Sequence, residues 1–292
     1  MLSKIKRFFN TAPAVNDEPA ANSPTLAAVA ETVEVTSPVP EQAPELDIAL
    51  TDSYLSGWLR SDTGELIEGF AITEADTLLD IGCGDGGYAG FSARQGAAII
   101  LADVDAEKIE LARQHVEASG AKSVQALVTD ANPLPLPDAH VTRVVAMEVL
   151  EHVDDPAQFM AELVRVAAPG ALFLLTVPDE LIETIQTHIA PPIYFEKPNH
   201  IRIFKRGELA QLALDAGLTI ERTTQYGFYH SVWWSLYWAC ENQSLSPPWH
   251  PLIENWRQTW STLLALPQGK QIKQALDAAM PKSQVVIARK PL

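Results

Sequence analysis

From residue 77 onward, short apolar runs alternate with amphipathic segments. The runs fall at 77–81, 98–102, 124–129, 141–147 and 171–177. Each is too short for a helix, and its apolarity is continuous, which predicts strands of a parallel sheet covered on both faces. Between them, Ile109, Ala112 and Val116 share one face of a 3.6-residue period. Asp155-Pro156 sets an N-cap before a proline at the first helical position. Phe159, Leu163 and Val166 then line one face, and the helix ends before a Pro169-Gly170 turn. A third helix carries Leu209, Leu212, Ala213 and Ala216 and stops at Gly217. Strands alternating with helices predict an α/β fold of βαβ units. A further strand is expected at 218–226 and a closing strand at 284–289. Between them, at about 229–282, lies a helical insertion crowded with aromatic residues.

Upstream of this pattern the material changes. Residues 11–47 are rich in Pro, Ala, Thr and Glu and hold no Lys, Arg or aromatic residue. Such a stretch buries too little apolar surface to offset its ordering entropy and reads as an acidic linker. Residues 1–10 alternate basic and apolar side chains, a short amphipathic tail suited at most to weak contact with an anionic membrane surface. Residues 48–292 remain as the folded domain. No apolar run approaches the roughly twenty residues of a membrane-spanning helix. The start of the chain lacks the apolar core and cleavage site of a secretory leader, so a cytoplasmic protein is expected, its tail at most peripheral to a membrane. The formal charge of −16 over 292 residues argues against nucleic acid as the main partner. Two cysteines, Cys83 and Cys240, form neither a disulfide framework nor a zinc-ligand set, and no metal site is expected.

The chemistry concentrates in three places. Asp80-Ile81-Gly82-Cys83-Gly84-Asp85-Gly86-Gly87 follows a strand and opens a helix, so its glycines let the backbone turn tightly and approach a ligand. Gly82, Gly84 and Gly87 also satisfy G-x-G-x-x-G, which keeps a nicotinamide dinucleotide as a rival. Asp103, some twenty residues on, stands where a carboxylate accepts from both ribose hydroxyls of an adenosine, and Asp105 reads as a helix cap. Asp130-Ala131 ends the third strand. There a carboxylate can accept from the exocyclic amine of adenine and the next N–H can donate to the ring, or the Asp simply forms a turn.

Together with Met147-Glu148-Val149-Leu150-Glu151-His152-Val153 and the turn at Ala168-Pro169-Gly170, these segments resemble the class I S-adenosylmethionine (SAM)-dependent methyltransferases, especially the small-molecule, quinone-biosynthesis-like branch. The resemblance covers about a third of the chain. It implies a doubly wound, mostly parallel seven-stranded sheet with an antiparallel last hairpin. It also implies that Asp80, Gly82 and Gly84 hold the methionine end of SAM, Asp103 the ribose, and Asp130 with Ala131 the adenine, with Val104 a further cofactor-binding residue. Met147 and Glu148 would line the cofactor where the fourth strand ends. One departure stands out: the family's Phe-Asp before that strand is replaced by Val141-Thr142-Arg143.

The implied reaction is methyl transfer from SAM to a small-molecule, saccharide or lipid-linked acceptor. A NAD-dependent oxidoreductase and a non-catalytic SAM-binding module are the alternatives. His152 reads either as a base for an acceptor hydroxyl or as a structural helix-start residue. His200 lies where this family places substrate-facing segments. In the insertion, Trp233 with Tyr237 and Trp234 with Trp238 are spaced i, i+4. These rings form a packed helical cap, a protein interface, or a lid in which Trp233 and Trp234 touch an apolar or glycan acceptor.

Overall fold

The computed structural model describes residues 48–240 and 244–292. The tail and linker at 1–47 lie outside the described residues. After helix α1 (Ile48–Leu55) comes a small antiparallel sheet of β1 (Trp58–Arg60), β2 (Glu65–Ile67) and β3 (Phe70–Ala71). The βαβ series follows as β4 (Thr77–Ile81), α2 (Gly87–Arg94), β5 (Ala98–Asp103), α3 (Ala106–Ala118) and β6 (Ser123–Val128). It continues through β7 (Val141–Met147), α4 (Pro156–Val166), β8 (Ala167–Pro178), α5 (Glu180–Gln186), α6 (Glu208–Asp215) and β9 (Thr219–Tyr226). The insertion supplies α7 (Phe228–Ala239), α8 (Pro251–Leu264) and α9 (Gly269–Ala279), and β10 (Ser283–Arg289) closes the chain.

The seven strands from β4 to β10 form one sheet in the order β6-β5-β4-β7-β8-β10-β9. All neighbours are parallel except β10, which runs antiparallel to both β8 and β9. The doubly wound class and antiparallel hairpin implied by the resemblance are therefore observed. The two-residue period of each strand divides its apolar side chains between two cores. Leu79, Ile81, Ile100, Ala102, Val144 and Ala146 meet α4 and α6 through Phe159, Met160, Leu163, Leu209 and Ala213. Leu78, Ile99, Leu101 and Val145 face the other way, against Phe91, Ile109, Ala112, Val116 and the β1–β3 sheet. Each such fully buried side chain contributes roughly 1.5–3 kcal/mol. Both expected caps form: Asp105 accepts from the N–H groups of Glu107 and Lys108, and Asp155 from those of Ala157 and Gln158.

Two expectations need correcting. Strand β6 is an edge strand, half exposed along its length, and not covered on both faces. Pro169-Gly170 is not a turn before a strand but a bulge inside β8. The partner of Val141 is Ala167 and that of Arg143 is Leu172, so extra residues on β8 loop out at Gly170, whose φ is +79°. At the departure Val141-Thr142-Arg143, the Thr142 hydroxyl donates to Asp76 Oδ1 at 2.8 Å, and Arg143 pairs with the same carboxylate at 2.9 Å. The substitution thus fastens β7 to the start of β4.

The insertion has its own core of Tyr229, Trp233, Tyr237, Ile253 and Trp260. It is bolted to α1 by Lys273, fully buried, whose Nζ lies 2.9 Å from Asp52 and 2.8 Å from Asp277. Trp260 Nε1 donates to Asp52 at 2.8 Å. Asp277 in turn accepts from the N–H groups of Gly227 and Phe228, capping α7. Among the described residues no helix is long and apolar enough to cross a membrane.

Candidate active site

Ligands of open α/β sheets sit beyond the carboxyl ends of the strands. A cavity of about 420 Å³ lies there, formed by the ends of β4, β5, β6 and β7 and the segment around Pro198. Of the sequence-predicted cofactor residues, Gly82, Asp103, Val104, Asp130, Ala131 and Glu148 line it. Asp80, inside β4, and Gly84, on the glycine loop, stand outside the lining, while Met147 turns from the cavity into the core shared with Val145.

Local geometry explains the loop. Gly82 has φ +69°, and a Cβ there would run into Val149 Cγ2, so only glycine lets the loop pass the β7 end. Asp103 joins the two halves: its Oδ1 accepts from Asp105 N at 2.9 Å and its Oδ2 from Gly84 N at 3.3 Å. Asp80 is buried with Asp103 and Asp85 nearby, and burial first, then these like charges, push its carboxyl up to about 7. Asp130 is exposed, with Oδ1 accepting from Asn132 N at 3.0 Å, the turn-forming role. Against expectation, the Ala131 N–H does not point free to a ligand, since it donates to Thr129 Oγ1 at 3.0 Å. Two cavity residues hold left-handed backbone without being glycine: Ala131 at φ +62° and Glu148 at φ +54°. Each such conformation costs of order 1–3 kcal/mol and persists only where its surroundings enforce it.

Glu148 carries a partner the sequence did not reveal. Lys282, just ahead of β10, places Nζ 2.7 Å from Glu148 Oε2, and Thr176 Oγ1 donates to Oε1 at 3.0 Å. Burial would raise this carboxyl, but Lys282 and the surrounding hydrogen bonds outweigh it and hold Glu148 below its ordinary value. Trp58 is fully buried between Tyr88 and Tyr226, with ring centroids 5.4 and 4.9 Å away. Burial pushes the Tyr88 hydroxyl up to about 12. Of the N-terminal residues upstream of β4, Trp58 is therefore a core residue, while Tyr54 stays exposed.

The two histidines come together. His152 lines the cavity, and its ring meets that of His200 edge-on at 4.9 Å. Burial, with His200 adding to it, lowers His152 to about 4, so it is neutral at pH 7 and a weak base. His200 is buried, its Nδ1 2.7 Å from Glu183 Oε2. Contrary to the expectation that no metal-ligand cluster exists, one atom each from Glu151, His152 and His200 lie within 4.8 Å of one another. The sequence hid this because Glu183 and His200 reach the site from elements well separated from β7. The tryptophans sit elsewhere: Trp233 is in the insertion core, stacked on Tyr237 at 5.2 Å, and half-buried Trp234 stacks on Trp238 at 5.7 Å. Neither lines the cavity.

Comparison with known proteins agrees with this geometry. The family model described as "Methyltransferase domain" matches residues 79–175. A probable S-adenosylmethionine-dependent methyltransferase of Mycolicibacterium smegmatis is 35% identical over 155 residues, 53% of this chain and 56% of that protein. A ubiquinone biosynthesis O-methyltransferase of Thiobacillus denitrificans is 29% identical over 153 residues, 50% of this chain and 66% of its own. The chain thus spans little more than half the length of the curated relatives it matches. Among solved structures, a candidate sarcosine dimethylglycine methyltransferase of Galdieria sulphuraria superposes with a TM-score of 0.53 at 20% identity, covering 83% of this chain and 86% of that one. That likeness speaks to fold. Residues 79–175 therefore match a methyltransferase domain, within a chain similar over about half its length to SAM-dependent methyltransferases.

Proposed function

We propose that the chain binds SAM in the cavity at the strand ends and transfers its methyl group, by in-line displacement, to a small-molecule acceptor. The observation that carries this reading is convergence. Four strands separated in sequence deliver Gly82, Asp103, Asp130 and Glu148 to one cavity. The residues fit the group. Gly82 keeps the loop clear of side chain, the Asp103 oxygens retain lone pairs for two hydroxyls, and Val104, exposed, offers an apolar surface to a base. Asp80, inside β4, supplies a carboxylate for an ammonium group. SAM would bring a methyl already activated on a sulfonium, so the protein's own contribution is alignment and exclusion of water.

At the other end of the cavity, Glu148, Val149, His152, Pro198 and Asn199 provide the acceptor's surroundings. A hydroxyl acceptor must give up its proton, and neutral His152 stands where it could take one. That the relatives include a ubiquinone biosynthesis O-methyltransferase favours a hydroxylated acceptor. The aromatic insertion, in which the lid reading puts Trp233 and Trp234 against the acceptor, approaches this end through Trp238, whose ring lies 5.2 Å from Tyr194. Tyr194 in turn lies against His200 at 4.4 Å.

Calorimetry with SAM, S-adenosylhomocysteine and NAD tests the reading. SAM and its demethylated product should bind one per chain and NAD should not. NAD binding, or no binding of either adenosyl ligand, overturns it. Binding without methylation of any hydroxylated acceptor would leave a SAM-binding module, since a fold does not fix its chemistry.

A further inference from the structure

We propose that Glu151, His152 and His200 form a binding site for one divalent transition-metal ion of the zinc type, opening on the cavity beyond β7. The argument begins with lone pairs. Glu151 is fully buried, and neither of its carboxylate oxygens has a hydrogen-bond partner. His200 is buried too, and its Nε2 is likewise unpartnered. A buried polar atom left unsatisfied costs about 1–3 kcal/mol, so three in one place point to something that pairs with all of them.

Both histidines are turned the same way. His200 Nδ1 lies 2.7 Å from Glu183 Oε2 and donates its proton to that carboxylate. His152 Nδ1 lies 3.1 Å from the carbonyl oxygen of Pro198 and donates to it. Each anchor fixes the tautomer and leaves Nε2 as an unprotonated lone pair. Histidine ligands are held in this way, by a carboxylate or a carbonyl on the far ring nitrogen. His152 Nε2 stands 3.7 Å from Glu151 Oε1. With metal bonds of about 2.0–2.2 Å, tetrahedral ligand atoms lie about 3.2–3.6 Å apart, so a modest contraction of the cluster closes it around an ion.

The frame is rigid enough to hold that geometry. Ile201 N donates to Glu151 O at 3.0 Å, His200 N to Tyr194 O at 3.0 Å, and Arg202 reaches the carbonyls of Val153 and Asp154. These contacts clamp the His200 segment to the turn after β7. Charge favours a dication. Glu148 is already matched by Lys282, which leaves Glu151 and Glu183 without a cation of their own. Two imidazoles and one carboxylate suit zinc or another late divalent metal, with a coordination position left towards the cavity. Part-exposed His152 gives the ion its way in.

The site rests on these side chains alone and needs no SAM; with an ion bound, His152 Nε2 is a ligand and is not free to take an acceptor's proton. Its test therefore uses chelator-treated full-length protein without SAM, titrated with Zn²⁺ by calorimetry and with Co²⁺ by visible absorption. We expect one ion per chain. Glu151→Gln and His200→Gln should each weaken it at least 100-fold, and Glu183→Gln, which removes only the orienting partner, about 10–100-fold. His152→Gln, at the part-exposed position, supplies the same reading should the buried variants fail to fold. No binding by the native chain, or affinities within threefold across all four variants, overturns the proposal. The first outcome would mean that a proton on Glu151 bridges the cluster instead.

Discussion

Asp80 is the residue at which the fold bears a cost that a ligand would relieve. Its carboxyl moves from an ordinary 3.8 to about 7, by burial first and then by Asp103 and Asp85. The unfolded chain releases the proton near 3.8 and the native chain holds it until about 7, so across that window the native state binds more protons. Stability from this group is therefore fully present below about pH 4, falls as pH rises towards 7, and is level above it. A shift of about three units corresponds to an upper bound of about 4 kcal/mol. Relaxation and water entry leave about 1–3 kcal/mol of this to be measured.

Asp80→Asn keeps the shape and removes the charge. At pH 8 it should raise the melting temperature of the ligand-free protein, by about 2–4 °C per kcal/mol for a domain of this size. At pH 4 it should change little. Its effect on SAM should be the reverse, because the cationic methionine end pairs only with the ionised form. From pH 8 to pH 6 the ionised fraction of native Asp80 falls about tenfold, and SAM affinity should fall with it. In Asp80→Asn the affinity should be low and flat over the same range. Melts and calorimetric titrations at pH 4, 6 and 8 read both effects. An Asn variant less stable than the native chain at pH 8, or native affinity flat between pH 6 and 8, would refute the argument.

Other residues give independent tests. Asp103→Ala should weaken SAM more than tenfold, since it removes the ribose acceptor and frees Gly84 N and Asp105 N together; unchanged affinity would take Asp103 out of the site. Gly82→Ala should cost at least 1–2 kcal/mol of stability for its φ of +69° and displace Val149 into the cavity, which an unaltered melt and titration would disprove. Lys273→Met leaves Asp52 and Asp277 buried and unmatched and should destabilise by about 3–5 kcal/mol; a loss under 1 kcal/mol in a denaturant titration would show that water reaches them. Trp233→Ala should cost about 3–5 kcal/mol because the ring is core to the insertion. A stable Trp233→Ala protein that has lost turnover but not SAM affinity would instead return the ring to the acceptor.

The local features at the ends of β4, β5 and β6 were legible because each of them is written in neighbouring residues. A glycine turn, a carboxylate at a strand end and a cap four residues before an apolar face are all written in contiguous residues, and their spacing survives folding. The same locality explains the strands: Leu78 and Leu79, adjacent in sequence, had to enter opposite cores once the run was a strand. Where a feature depends on what lies beside it, the sequence was silent. Strand β6 is as apolar as an inner strand but has a neighbour on one side only, and the Pro169-Gly170 pair reads as a turn although Lys290 and Arg289 bind it into a bulge. Asp62-Thr63-Gly64 between β1 and β2 did carry a turn signal, passed over because its strands are only three residues long.

The acceptor end shows the limit most clearly. Glu151 and His152 sit in a motif that reads as cofactor machinery, yet what they do is decided by His200, Glu183 and Lys282, none of which has a local signature. A buried glutamate is costly wherever it stands, and here half-buried Glu148 and fully buried Glu151 emerge three residues apart from the end of β7. The fold resolves the first with Lys282, carried in by the last strand after the whole insertion has been traversed. It offers the second no protein donor at all and surrounds it with imidazole lone pairs. The insertion therefore matters to the site: by fixing where β10 begins, it sets Lys282 beside Glu148 and leaves Glu151 and Glu183 without a cation of their own. That asymmetry separates a structural carboxylate from one left open to a ligand.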